Sequence, residues 1–394
     1  MCVEIISKAK NKPMTSPDLP ALNSAEYTRY ARHLSLPEFG LEGQRRLKAA
    51  KVLVVGAGGL GSPVLLYLAA AGVGRIGIVE FDCIDETNLQ RQVLYSVPDV
   101  GKSKAEKARE RILALNPHIE VRVYQTALTS ENALDIIREY DIVADGTDNF
   151  PTRYLVNDAC VLAGKVNVYA SIFRFEGQVA VFNYLFPDGA RGPNYRDIFP
   201  TPPPPDLVPN CAEGGVLGVL PGIIGSMQAC EVIKVAAGVG QPLAGKLFLF
   251  DAASFTSRTL NIRKNSEVKI EKLIDYEAFC NPAQKATTAV GSITVRELKH
   301  WMQEGTDFQL IDVREAYERE IATIGGRHIP LAAIVEQADQ IDRKKRVVFY
   351  CRSGKRSRQA IKKLQKLTPF DNLFNLEGGI LAWADEVDPE MTKY

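Results

Sequence analysis

The chain has no excess of either charge, no close-spaced cysteines and no apolar stretch free of glycine long enough to span a membrane. Lys and Arg total 48 against 47 for Asp and Glu, a formal net charge of +1. No overall field therefore draws it toward nucleic acid or a membrane surface, and neither is expected as a partner. Its seven cysteines, Cys2, Cys83, Cys160, Cys211, Cys230, Cys280 and Cys351, are scattered through 394 residues. Such spacing excludes a small disulfide framework and suits a reducing, cytoplasmic setting. Residues 52–74 form a run of 23 uncharged positions, and a membrane span needs about 20 apolar ones. Gly56, Gly58, Gly59 and Gly61 interrupt it, so it reads as a buried strand, a tight turn and a helix from about Ser62-Pro63, with serine as cap and proline in the first turn. The first residues show no basic segment followed by a long apolar core, and no secretory signal is expected.

What is present suits an ordinary cored protein: 46% of residues are hydrophobic and 24% charged, in a chain long enough for two or three domains. Residues 1–27 lack periodicity and read as a flexible N-terminal extension. From Lys51, β-rich runs at 52–55, 76–80, 121–124, 142–144, 166–170 and 179–184 alternate with helical ones at 102–115, 132–139 and 152–164. That alternation predicts an α/β fold with a Rossmann-like, mostly parallel sheet over residues 28–264. A proline-rich stretch at 186–210 precedes a glycine-punctuated apolar helix at 214–230, and residues 246–262 read as paired strands. Residues 265–290 read as a linker to a smaller α/β domain, residues 291–394.

Gly56-Ala57-Gly58-Gly59-Leu60-Gly61, between a buried strand and a helix, is a phosphate-binding arrangement. Glycines allow close backbone approach, and the helix N-terminus favours negative charge. Alone it is a weak signal, read most commonly as an NAD or FAD site with Glu80 or Asp82 gripping a ribose hydroxyl. Three further runs, Asn88-Leu89-Gln90-Arg91-Gln92, Gly101-Lys102-Ser103-Lys104 and Gly146-Thr147-Asp148-Asn149, add cations, amides and a carboxylate. Taken singly, Arg91, Lys104 and Asp148 also fit solvated surface positions. Together they suit nucleotidyl transfer, where cations neutralise a triphosphate and an aspartate holds magnesium.

A second chemistry lies far downstream, in Tyr350-Cys351-Arg352-Ser353-Gly354-Lys355-Arg356-Ser357. An apolar strand ends in a thiol, followed by cations and a helix beginning near Ser357. This setting favours the anionic form of sulfur, whether thiolate or persulfide. A buried structural cysteine in an ordinary strand-to-helix loop is the alternative, which the Cys-Arg-Ser-Gly-Lys-Arg-Ser composition disfavours.

Residues 291–394 resemble a rhodanese, or sulfurtransferase, domain through Leu310-Ile311-Asp312-Val313-Arg314-Glu315, His328-Ile329-Pro330, the Cys351 turn and Glu377-Gly378-Gly379-Ile380-Leu381-Ala382-Trp383. That resemblance implies a transferable sulfur on Cys351, cradled by the amides of Arg352, Ser353, Gly354, Lys355, Arg356 and Ser357, with Asp312 and Arg314 structural and Trp383 in the core. Residues 28–264 resemble the MoeB/ThiF adenylyltransferases, relatives of ubiquitin-activating enzymes, through the Gly-x-Gly-Gly-x-Gly, Asn-Leu-Gln-Arg-Gln and Thr-Asp-Asn motifs. It implies an ATP site made by Gly58, Gly59, Gly61, Asp82 (ribose), Arg91 and Lys104 (phosphates), Asp148 (magnesium) and Asn149, with Asn88 and Gln92 in support. Arg32 matches an arginine that such homodimers insert into the partner's ATP site.

Pro209-Asn210-Cys211-Ala212-Glu213-Gly214-Gly215 resembles the MoeZ-like fusions of the two domains, in which the thiol matching Cys211 resolves the sulfur intermediate. Many MoeB relatives bind zinc through two Cys-x-x-Cys pairs. Asn194-Tyr195-Arg196-Asp197 and Ser266-Glu267-Val268-Lys269 stand in those places, so no structural zinc is expected. The combined resemblance implies an enzyme that uses ATP and Mg2+ to adenylate a small ubiquitin-like sulfur carrier ending in Gly-Gly, then sulfurates it from a Cys351 persulfide replenished by an external persulfide donor. A dinucleotide-dependent oxidoreductase with a fused sulfur-handling domain is the alternative from the glycine motif. An adenylyltransferase whose rhodanese unit only docks a partner is the other.

Overall fold

Residues 19–203, 215–280, 290–367 and 370–394 are described by the computed structural model, and the chain divides into two units, Met1–Pro282 and Ala283–Tyr394. In the first, eight strands form one sheet: β1 (Lys51–Val55), β2 (Arg75–Val79), β3 (Glu120–Tyr124), β4 (Ile142–Asp145), β5 (Val166–Phe173), β6 (Glu176–Phe182), β7 (Lys246–Asp251) and β8 (Thr256–Asn261). Their order is β3-β2-β1-β4-β5-β6-β7-β8. The first five are parallel, while β6, β7 and β8 add on antiparallel.

Because side chains alternate along a strand, β1 is apolar on both faces. Val52 and Val54 pack with Leu65 and Leu68 of the helix Gly61–Ala71. Leu53 and Val55 pack with Tyr154 and Leu155 of the helix Phe150–Ala163. Each such side chain stabilises the unit by about 1.5–3 kcal/mol when fully buried. The chain runs from β1 outward to β3, then crosses back to place β4 on the other side of β1. Connections therefore diverge above the C-terminal ends of β1 and β4, which opens a crevice there.

Four boundaries differ from the sequence reading. The helix after the glycine turn starts at Gly61, and Ser62 does not cap it: its hydroxyl donates to the Gly58 carbonyl at 2.7 Å. The apolar helix after the proline-rich stretch is Leu220–Ala237, later than expected, because Pro221 fits its first turn and Gly238 ends it in the left-handed region. Regular structure includes Tyr27 within the helix Ser24–Arg29, whose capping box joins Asn23 and Glu26. Finally, part of the expected linker belongs to the first unit: the helix Tyr276–Cys280 buries Tyr276 and Cys280 against Tyr154 and Leu155.

The segment in the place of the first thiolate pair is closed on itself and tied to the residue just before the second. Asp197 Oδ2 accepts from the Asn194 amide at 2.6 Å, and Asp197 Oδ1 accepts from the Asn265 amide at 2.9 Å. Lys264 Nζ also donates to the Arg191 carbonyl at 2.9 Å.

The second unit is a five-stranded parallel sheet of β9 (Gly291–Ile293), β10 (Phe308–Asp312), β11 (Arg327–His328), β12 (Arg346–Tyr350) and β13 (Leu373–Leu376), in the order β11-β10-β12-β13-β9. Along β12 and just beyond, Val347, Phe349 and Cys351 face one core. Val348 and Tyr350 face the other, with Trp383. Among the described residues no helix is long and apolar enough to cross a membrane.

Candidate active site

The crevice above β1, β2 and β4 is a cavity of about 950 Å3 within the first unit. Its floor is the glycine turn, with Gly56 in the left-handed region at φ +91°. A Cβ on Gly61 would lie 2.0 Å from the Gly56 carbonyl oxygen, so only glycine lets the turn close onto the helix. Glu80 fixes the turn from β2: Oε2 accepts from the Ala57 amide at 3.0 Å, and Oε1 accepts from the Phe81 and Asp82 amides at 2.8 and 2.9 Å. Glu80 is thereby fully engaged and buried, whereas Asp82 is exposed at the cavity wall. Tyr95 Oη donates to the Ala57 carbonyl at 2.8 Å, a second hold on the turn.

Gly58, Gly59, Asp82, Arg91, Gln92, Lys104, Asp148 and Asn149 all line this cavity. Lys104 Nζ lies 3.3 Å from Asp82 Oδ2, so the residues expected at ribose and phosphate form one ion pair. Arg91 Nη1 donates to the Thr87 carbonyl at 3.0 Å. Gln92 is buried, and its Oε1 finds no hydrogen-bond partner among the described residues, which leaves it available to a ligand donor.

Other sequence expectations shift. Asn88 does not line the cavity; its side chain accepts from the Asp85 amide at 3.3 Å and closes the short helix Glu86–Asn88. Asn149 caps the helix Phe150–Ala163, accepting from the Thr152 amide at 2.9 Å. Gly61 anchors the turn from inside the helix. Arg32 is exposed on the helix Ala31–Leu34 and is not among the residues that line the cavity.

Three features were not read from the sequence. Arg153 lines the cavity, donates through Nη2 to the Thr147 carbonyl at 3.2 Å, and lies over the Tyr169 ring at 5.4 Å. Asp145, at the end of β4, accepts from the Thr147 amide and hydroxyl at 3.0 and 2.6 Å. Burial pushes its carboxyl above the usual range, against the pull of the Arg153 guanidinium and the Thr147 bonds. The third is the wall at residues 273–277, within the expected linker. Its signal was the short apolar pair Leu273-Ile274 before Tyr276, set among charges that favoured a linker.

In the second unit, Cys351 follows β12 and is 1% exposed. Its Sγ accepts from the Gly354 amide at 3.1 Å and lies 3.4 Å from Ser357 Oγ. The Ser357 hydroxyl also points to Asn375 Oδ1 at 2.7 Å. Gly354 is left-handed, at φ +84°. The helix Gly379–Glu386 closes over the turn: Ile380 and Leu381 amides donate to the Cys351 and Arg352 carbonyls at 2.9 and 3.1 Å. A Cβ on Gly379 would come within 2.4 Å of the Cys351 carbonyl oxygen, which explains the glycine pair before Ile380.

Two of the cations that follow Cys351 are paired. Arg356 is bound by both nitrogens to Glu318, each at 2.6 Å. Arg352 Nε donates to the Tyr394 backbone oxygen. The sulfur is thus met first by the Gly354 amide, while the Ser357 hydroxyl gives its one proton to Asn375, in a helix-start turn that begins at Lys355, two residues earlier than expected. Cys211 lies outside the described residues.

Models of known families match both units: the ThiF family over residues 30–270, and the rhodanese-like domain over residues 294–386. The chain belongs to the ThiF family. It carries a rhodanese-like domain after the ThiF region, the arrangement its resemblances implied. It is 49% identical over 389 residues to the probable adenylyltransferase/sulfurtransferase MoeZ of Mycobacterium tuberculosis, covering 97% of this chain and 98% of that one. The sulfur carrier protein adenylyltransferase of Thermus thermophilus is 55% identical over 262 residues, which cover 65% of this chain and 97% of that protein. Among solved structures, E. coli MccB with ATP superposes with a TM-score of 0.54 at 24% identity over 61% of this chain and 74% of that one, a likeness of fold. This ThiF-family chain is an enzyme of the adenylyltransferase and sulfurtransferase class.

Proposed function

We propose that the enzyme uses ATP to adenylate the C-terminal glycine of a small ubiquitin-like carrier ending in Gly-Gly, and then exchanges the adenylate for sulfur borne on Cys351. The observation that carries this reading is the convergence of the glycine turn, Asp82, Arg91, Lys104 and Asp148 on one cavity. Cations beside a glycine floor fit a triphosphate and its pyrophosphate leaving group. An exposed carboxylate there fits magnesium, which binds through one or two carboxylates together with phosphate oxygens. Asp148 would hold that ion, which when bound neutralises phosphate charge.

The carrier carboxylate attacks the α-phosphorus, and the bond to the bridging oxygen breaks with release of pyrophosphate. Arg91 and Lys104 hold the charge that develops on the departing phosphates, and Asp82 holds the ribose. The acyl group now has a good leaving group. The Cys351 persulfide, loaded by an external persulfide donor, attacks the carbonyl and expels AMP, giving an acyl disulfide. Cys211 then attacks Cys351 Sγ, which releases the carrier thiocarboxylate and leaves a Cys211–Cys351 disulfide for an external reductant. Arg32 reaches the cavity of a second copy in a homodimer, and the enzyme works in the cytoplasm.

Mass spectrometry of Gly-Gly-ended carriers incubated with the enzyme, ATP, magnesium and a persulfide source tests the whole reading. A thiocarboxylate product that disappears in Cys351→Ala, while ATP–pyrophosphate exchange persists, is the expected outcome. Thiocarboxylate formed at wild-type rate by Cys351→Ala would overturn the sulfur step. Absence of carrier-dependent exchange with every such carrier would overturn the adenylation.

A further inference from the structure

The outer wall of the nucleotide cavity, residues 273–277, is rooted in a largely buried ion pair on the side away from the cavity. Asp158, 1% exposed on the helix Phe150–Ala163, accepts from Arg196 Nε at 2.8 Å, Arg196 Nη2 at 2.7 Å, Asn157 Nδ2 at 3.0 Å and the Tyr276 hydroxyl at 2.8 Å. A carboxylate has about four acceptor sites, and here all are used. Tyr276 is itself part of the cavity wall. Burial first, and then Asp158, hold its phenol well above the usual range, so it remains a donor.

Arg196 joins the same elements through its flat faces. Its guanidinium carbon lies 5.0 Å from the centre of the Tyr154 ring and 4.8 Å from that of Phe279, and the two rings meet edge to face at 5.2 Å. One side chain thereby ties the helix Phe150–Ala163 to the helix Tyr276–Cys280, into which the wall runs. Arg196 belongs to Asn194-Tyr195-Arg196-Asp197, the place of the first thiolate pair in zinc-binding MoeB relatives. Neither this segment nor Ser266-Glu267-Val268-Lys269 offers a thiolate or an imidazole, and Arg196 and Lys269 bring cations, so the residues do not fit zinc. We propose that Asp158 and Arg196 replace that metal tie and form a positioning pair for nucleotide binding: acting through Tyr276, they fix the wall opposite residues 126–131 and so the fit of the nucleoside end of ATP. A buried ion pair adds little net stability over apolar packing, but an arginine forked onto a carboxylate fixes geometry. What it supplies here is the placement of Tyr276.

This inference rests on the cavity binding ATP. Its test is calorimetry on the full chain with magnesium and no carrier, titrating ATP and inorganic tripolyphosphate into wild type, Tyr276→Phe and Arg196→Met. Tyr276→Phe removes one hydroxyl and keeps the ring, and should raise the ATP dissociation constant about fivefold, while Arg196→Met, which strands the carboxylate, should raise it about tenfold or more. Tripolyphosphate lacks a nucleoside, and should bind each variant as it binds wild type. Weakening of both ligands alike, or a lowered melting temperature with ATP affinity unchanged, would show a purely structural role and overturn the proposal. Should Arg196→Met not fold, Tyr276→Phe alone carries the test. Wild type that binds no ATP removes the adenylation reading and this inference with it. If wild type binds ATP and the folded variants keep its affinity, the positioning role alone fails. A stoichiometric zinc retained by the purified wild-type chain would overturn the replacement of the metal.

Discussion

Lys104 is nearly buried yet pairs with an exposed partner, Asp82. Its removal should therefore disturb the fold little and the chemistry much. Lys104→Ala is expected to slow carrier-dependent ATP–pyrophosphate exchange by about 10²–10³-fold, the usual cost of losing a group aimed at developing charge, with the melting temperature close to wild type. Glu318 makes the opposite kind of contribution. Burial, the largest influence, raises its carboxyl, but Arg356, the Glu315 amide and Tyr394 outweigh it and hold the group below its ordinary 4.5. A carboxyl depressed in the folded state stabilises the fold fully above the unfolded value and loses that contribution as pH falls through the folded one. Chemical denaturation of the second unit should show stability declining below about pH 4.5, with a smaller decline in Glu318→Gln. Glu318→Ala, which strands Arg356, is expected to cost about 3–5 kcal/mol at neutral pH.

At the scale of elements, the strands and glycine turns were legible and the cavity's outer wall was not. β1, β2, β4 and β5 are mainly apolar runs between turn residues, and β3 alternates charged with apolar positions, so period and punctuation mark them all. Asp82, Arg91, Lys104 and Asp148 were legible because each belongs to a motif beside a strand end. Asn88 and Asn149 also have a structural task that the motifs did not announce: Asn88 closes the short helix Glu86–Asn88, and Asn149, though it lines the cavity, caps the helix Phe150–Ala163. Residues 273–277 carry too few apolar positions to signal burial. They are held by contacts more than a hundred residues away in sequence: Ser130 Oγ donates to the Ile274 carbonyl at 2.7 Å, and Tyr276 Oη donates to Asp158 Oδ2 at 2.8 Å. They face the cavity near residues 126–131, which follow β3, two strands from the glycine turn. On the proposed reading, phosphate, ribose and base would lie in turn along that order, about 5 Å per strand. Hydrogen exchange should accordingly show ATP protecting residues 273–277 along with the glycine turn. Ile274→Asp should weaken ATP binding about tenfold, or 1.4 kcal/mol, while leaving inorganic tripolyphosphate binding unchanged in calorimetry.

At the scale of the molecule, each of the two units has its own core, and the described residues that line the cavity belong to the first. Residues 1–282 alone should retain carrier-dependent ATP–pyrophosphate exchange and produce no thiocarboxylate. Residues 283–394 alone should load a persulfide and exchange no pyrophosphate. Loss of exchange in the first fragment, despite native circular dichroism, would show that adenylation needs the second unit. Within the first unit, Glu80 has a mechanical consequence. One carboxylate holds both the phosphate turn, through Ala57, and the backbone of Asp82. Those two stations share one fastening and move together, so widening that admits or releases a nucleotide is expected at the opposite bank, where the Ser130 hydroxyl and the apolar cluster around Leu128 hold Ile274.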